Sequence, residues 1–196
     1  MQEKLIVSFL TNNPHKVIEA KEALAAYPCI ELKQIKEEKA EYKNDSVSDP
    51  IKEIATRAAE EAIKKYAVPI VVEDTGLFLN AYPGFPGLNT KWVIKKIGYD
   101  GILRLLAGKD RTAYFRSLLA FCEPEGEVTL FEGKIDGMIS EEVIGDDKDC
   151  MDYDRLFIPS GETLPFSMIM EEKRQISHRK IAFQKLGEYL QQRLEG

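Results

Sequence analysis

The sequence is poor in cysteine, in long apolar runs and in positive charge. Its three cysteines, Cys29, Cys122 and Cys150, are odd in number, widely spaced and form no CxxC pair, so they suggest neither a disulfide framework nor a zinc site. They read as reduced thiols of the core or surface. Near the amino terminus the run "LIVSFL" is too short for a signal-peptide core, and no later stretch approaches a membrane span. A cytoplasmic protein with no membrane partner is expected. A net charge of -6 argues against nucleic acid as a partner, because such binding needs a basic surface. Internal repeats, low-complexity tracts and linkers are also missing.

With 196 residues, 44% hydrophobic and 31% charged, the chain suits one well-buried unit, and residues 1–196 read as a single domain. "KLIVSFL" reads as a buried strand that leads through "TNN" into a helix opened by Asn13 and Pro14, with Val17, Ala20, Leu24 and Tyr27 on its apolar face. Asp49 and Pro50 open a second helix, with Ile51, Ile54, Ala58, Ala62 and Tyr66 on one side. "VPIVVED" reads as an interior strand ending on two carboxylates, and "TGLFLNAYPGFPGLNT" as a Gly- and Pro-rich loop. Helical segments follow around "KWVIKKIG" and "GILRLLAG", where Trp92 reads as core. Alternation from Thr112 to about Val143, with turns at "EPEG" and near "DG", predicts a hairpin or meander. A long acidic loop then reaches the short strand "RLFIP". Ser177 caps a last helix bearing Phe183, Leu186, Leu190 and Leu194 on one face. The expected fold is α/β, mixed, with an elongated central sheet flanked by helices.

Two helix starts carry the wrong charge. Three places after the cap Asn13, where Glu or Gln would complete a capping box, stands Lys16; immediately after Ser177 come His178, Arg179 and Lys180. Each cation opposes the helix dipole by roughly 0.3–1 kcal/mol unless an anion lies between it and the helix end. Side chains extending into solvent would explain either site alone. Glu73 and Asp74 are the second anomaly, since carboxylates at the end of an interior strand sit where open α/β sheets place ligands. Beside phosphate-binding cations they imply a divalent ion, Mg2+ on Asp74 and another carboxylate. Arg57, four residues after Glu53, is explained as readily by an exposed ion pair. His15 is expected to face solvent.

Together these stretches resemble the inosine triphosphate pyrophosphatase family, the non-standard purine nucleoside triphosphate pyrophosphatases. "TNNPHKVIE" is similar to T-G-N-x-x-K-x-x-E, "VVEDTGLFLNAYPGFPG" to E-D-[ST]-G-L-x-x-x-A-L-x-G-x-P-G, and "EEKRQISHRKIAF" to E-K-N-x-[IV]-S-H-R-x-x-A. The resemblance implies a two-lobed fold with a nucleotide cleft between the lobes, a homodimer, and Mg2+, or Mn2+ in its place, as cofactor. It implies hydrolysis of ITP, dITP and XTP to the monophosphate and pyrophosphate, cleaning the nucleotide pool. Thr11, Asn12, Asn13, Lys16 and Thr75 would meet phosphate; Asp74 would bind metal and activate water, with Glu41 as second metal carboxylate and Glu73 in support. Lys173 would contact substrate, His178 and Arg179 the oxygen-bearing edge of the purine, and Arg57 the developing phosphate charge.

The chain departs from that pattern. Asn12 stands at a usual glycine and Arg57 at a usual lysine. The base-pocket motif F-G-[YW]-D-P reads "MDYDR", with Met151, Asp152 and Arg155 altered and Tyr153 and Asp154 kept. Catalysis is expected to survive with base recognition loosened or shifted. The alternatives are a related pyrophosphatase with another base preference, or a nucleotide-binding protein that has lost turnover.

Overall fold

The computed structural model describes residues 4–37, 49–146, 148 and 150–196. The described chain is a mixed α/β protein. In order it forms β1 (Leu5–Leu10), α1 (Pro14–Leu24), β2 (Ile30–Ile35), α2 (Pro50–Tyr66), β3 (Ile70–Leu79), β4 (Pro86–Gly87) and α3 (Thr90–Leu105). There follow β5 (Thr112–Cys122), β6 (Thr129–Ile139), β7 (Phe157–Pro159), α4 (Met170–Ile176) and α5 (His178–Glu195). Six strands follow one another as β2-β1-β3-β5-β6-β7, and β4 adds to β3. β1 is parallel to both β2 and β3, the register that strand–helix–strand connections produce.

The chain divides into two compact units, passing between them within β3, β5 and β6 and again at Ser177. The first, residues 1–74, 117–133 and 178–196, has its core where α1 and α5 cover one face of the sheet. Val7, Phe9, Val71, Leu119 and Phe121 meet Val17, Ala20, Leu24, Phe183, Leu186 and Leu190 there. Burying each Leu or Phe fully is worth about 1.5–3 kcal/mol. The second, residues 75–116 and 134–177, centres on Leu77, Ile102, Phe115, Tyr153, Phe157 and Phe166.

Several expectations are corrected. β3 runs on to Leu79, so Glu73 and Asp74 lie mid-strand and "TGLFL" is strand rather than loop. Leu77 and Leu79 are buried there, and that burial outweighs the single glycine. No turn forms at Gly137, which pairs with Pro159 inside β6; a Cβ there would lie 2.3 Å from the Ile158 carbonyl oxygen. Trp92 is 60% exposed and lines an apolar groove of about 570 Å3 with Phe85, Val93, Ile97 and Leu105. Leu194 is exposed, since the apolar face of α5 ends a turn earlier at Leu190. Tyr66 is half-buried, its hydroxyl bonded to Glu37. Glu41 lies outside the described residues.

Candidate active site

β1 ends opposite β3, with Leu10 level with Val72, and the next residues on each side are Thr11 and Glu73. The expected rule therefore holds for β1, whose carboxyl end delivers the loop into α1. That loop is organised by its own side chains. Thr11 Oγ1 accepts from the Asn13 N–H at 3.1 Å, and Asn13 Oδ1 accepts from the N–H groups of His15 at 3.0 Å and Lys16 at 3.4 Å. Asn13 is thus a working N-cap. Asn12 is exposed; among the described residues the non-glycine positions with positive φ are Ala67 and Glu125, so Asn12 does not need the conformation that glycine would supply.

Lys16, the residue out of place for the helix dipole, has a partner inside the protein. Its Nζ lies 3.4 Å from Glu73 Oε2. Alternation along β3 puts Glu73 on the face of Val71, covered by α1 and α5, and Asp74 on the opposite face. The two carboxylates, adjacent in sequence, therefore leave the strand on opposite faces.

Glu73 is held from three directions. Arg179 Nε donates to Oε1 at 2.8 Å and to Oε2 at 3.0 Å, and Ser117 Oγ donates to Oε1 at 2.7 Å. Arg179 Nη1 also donates to Glu19 Oε2. Arg179 is 1% exposed, Glu73 3% and Glu19 8%. Burial by itself would raise the Glu73 carboxyl, but the charges of Arg179 and Lys16, with the bonds from Arg179 and Ser117, hold it well below the usual range. Burial likewise works against the Arg179 cation, and Glu73 and Glu19 more than restore it. Among the described residues, two carboxylates and two cations meet here, and opposite charge at close range is how buried charges persist. The cations after Ser177 thus do not all run into solvent: Arg179 turns inward, and His178 is also buried, at 3%.

Ser117 lies outside every motif, and Glu19, the last residue of the first motif, is given no role by the resemblance. Each left a signal: Ser117 interrupts the inward series Ala113, Phe115, Leu119 and Phe121, and Glu19 closes the "TNNPHKVIE" stretch beside the apolar residue Ala20. Asp74 is 8% exposed and Thr75, next to it in β3, is half-buried. Arg57 is half-exposed on α2, 3.7 Å from Glu53, as the ion-pair reading expects. His15 is half-buried.

In the second unit the altered base motif forms a 3-10 turn, Asp152–Arg155. Asp154, 3% exposed, accepts from the Met151 N–H at 2.8 Å and from Lys173 Nζ at 2.6 Å. Lys173, expected to touch substrate, is 1% exposed and also lies over the Phe166 ring. Tyr153 is buried with its hydroxyl 3.4 Å from the Thr90 carbonyl; burial, then the charge of Asp152, pushes its pKa up. Met151 is half-buried and the side chain of Asp152 exposed. Arg155, in place of proline, donates to the Gly145 carbonyl at 3.1 Å and covers the Tyr99 ring.

Residues 7–189 match the model of the Ham1 family. The chain belongs to the Ham1 family. It is similar to proteins named dITP/XTP pyrophosphatase from Methanopyrus kandleri, 39% identical across 97% of this chain and 98% of the relative, and from Pyrobaculum aerophilum, 40% identical across 95% and 97%. A third, from Saccharolobus solfataricus, is 41% identical across 94% and 93%. Among solved structures, a Ham1 protein from Coxiella burnetii matches with a TM-score of 0.76 at 25% identity, covering 96% of this chain and 99% of that one. The Staphylococcus aureus Ham1 protein matches the fold with a TM-score of 0.72 at 24% identity, covering 96% and 99%. The expected family and the mixed α/β fold are thereby borne out for a Ham1 chain.

Proposed function

We propose that this Ham1-family chain hydrolyses dITP, ITP and XTP to the nucleoside monophosphate and pyrophosphate, in the cytoplasm and with Mg2+. The observation that carries the reading is Lys16, a cation in the first turn of a capped helix, its side chain 19% exposed and its ammonium 3.4 Å from Glu73 Oε2. The full-length similarity to proteins named dITP/XTP pyrophosphatase supplies the substrate class. The homodimer in this reading rests on the family resemblance.

Because Asn13 already caps the His15 and Lys16 N–H groups, phosphate would be met by the Thr11 hydroxyl and the Lys16 ammonium rather than by bare helix donors. Asp74 would hold the attacking water, whose oxygen bonds to the α-phosphorus as the bridge to the β-phosphate breaks and pyrophosphate leaves. The water's proton passes to Asp74 and then to solvent. His178 would face the purine edge, while Arg179 is engaged with Glu73 and Glu19. Lys173 would act through Asp154, keeping the Met151–Asp154 turn in place.

For Mg2+, Asp74 offers a hard carboxylate oxygen, whereas Glu73 is committed to cations. No group of three or more His, Cys, Asp or Glu gathers among the described residues. Mg2+ keeps several waters and binds through one or two carboxylates and substrate phosphates. Asp74 would hold it with Glu41, and when bound it neutralises phosphate charge.

The test is pyrophosphate release from dITP, ITP, XTP, GTP and ATP with Mg2+, beside Asp74→Asn. Preference for the first three, lost in the variant, is expected; binding without turnover would favour a nucleotide-binding protein instead. A shifted base preference is favoured by one observation, the exposed carboxylate of Asp152 next to half-buried Met151 where the family has glycine and an aromatic ring. Met151→Phe with Asp152→Gly should then change the ranking of the five triphosphates.

A further inference from the structure

We propose that Glu19 is a positioning residue: acting through Arg179 and Glu73, it sets where the Lys16 ammonium stands. The inference rests on the reading of Lys16 as the phosphate-binding cation. Glu19 is three residues from Lys16 on α1, hence on a neighbouring part of the same helix surface, and is 8% exposed. Its carboxylate accepts from Arg179 Nη1. Arg179 Nε then lies across both oxygens of Glu73, at 2.8 and 3.0 Å, and Ser117 takes Oε1 at 2.7 Å. The oxygen that Ser117 leaves, Oε2, is the one 3.4 Å from Lys16 Nζ.

The chain of contacts has an electrostatic logic. With Glu19 present, the repulsion between the Arg179 and Lys16 cations is offset by two carboxylates, Glu19 and Glu73. With Glu19 neutral, one carboxylate of the cluster is lost, and Arg179 and Lys16 repel each other across Glu73 with less to offset it. Lys16 is the member of the cluster that reaches solvent, with 19% of its side chain exposed against 1% for Arg179, so it is the one to move. Packing alone would be served as well by an apolar side chain, since buried ion pairs are weak evidence for stability.

The experiment is a double-mutant cycle of Glu19→Gln with Lys16→Met, measured by initial rates on dITP. In the wild-type background Glu19→Gln should raise KM about tenfold and leave kcat within about threefold, the pattern of lost uniform binding. Glu19→Asp, which keeps the charge, should recover part of the loss. In the Lys16→Met background Glu19→Gln should change kcat/KM by less than about twofold, because the residue it acts upon is gone. Equal effects in both backgrounds would mean a merely structural role and would overturn the inference. A readout free of turnover accompanies it: in the free protein the Arg179 Nη1–H that Glu19 accepts should give a slowly exchanging nitrogen–proton NMR signal that Glu19→Gln moves into fast exchange, while the Nε–H on Glu73 stays protected. If the wild type shows no such signal, the cluster does not exist in solution and the inference fails. If the wild type hydrolyses no triphosphate, the proposed function fails instead, and the cycle is read on dITP dissociation constants, where absence of coupling again overturns the inference.

Discussion

At the scale of the residue, the protein turns on where single charges find partners. Removing Arg179 leaves Glu19 and Glu73 buried with one cation between them, and breaking a buried pair by one partner costs about 3–5 kcal/mol. Arg179→Met should lower unfolding stability by that amount in urea titrations; a loss under about 1 kcal/mol would show that the cluster does not hold the fold. Tyr153 offers a test in pH. Its folded pKa lies above the unfolded value of about 10, so its contribution is complete below pH 10 and is lost as pH rises toward the folded value. Tyr153→Phe should therefore be less stable by about 0.5–1.5 kcal/mol at pH 8 and gain on the wild type steadily above pH 10. Thermal melts from pH 8 to pH 11 would show the two curves converging. Parallel curves would deny that the hydroxyl is buried.

At the scale of the element, β3 and α5 decide the site. β3 carries Glu73 toward the α1 and α5 face and Asp74 away from it, and α5 starts against β6 with no space to spare. A Cβ on Gly133 would lie 1.9 Å from the His178 carbonyl oxygen and 2.7 Å from the Ala182 nitrogen, both backbone atoms that cannot rotate aside. Gly133→Ala should cost at least about 3 kcal/mol, the upper part of the range for overpacking, and should reduce activity by displacing Arg179. Gly126→Ala, where the nearest contact is 3.3 Å in a turn, is the mild comparison. Circular dichroism melts of the two variants would separate the positions. The elements also show what was legible. The starts of α1 and α2 were, because Asn13–Pro14 and Asp49–Pro50 are local signals whose physics does not depend on the rest of the chain. The length of β3 was not, because Thr75 and Gly76 look like turn residues until Leu77 and Leu79 are seen to have a core to enter.

At the scale of the whole molecule, neither compact unit is a continuous stretch of chain. The first is assembled from three segments and the second from two. Deleting residues 178–196 takes Phe183, Leu186 and Leu190 out of the first core and Arg179 away from Glu73. The truncated protein should fail to fold, seen as loss of the cooperative unfolding transition; a stable, cooperatively melting fragment would contradict the assignment of α5 to that core. By itself the sequence determined the family, the α/β class and the residues out of place for their local structure, since motif spacing, periodicity and helix-end chemistry are short-range. Lys16 was recognisable as an anomaly on those grounds alone. That it answers to Glu73, that Glu73 and Asp74 face opposite ways, and that Glu19 and Ser117 belong to the cluster were decided by tertiary structure. Partners 44 to 160 residues apart meet only when β3, β5, α1 and α5 pack, and no local rule can register a charge whose counter-charge lies that far along the chain.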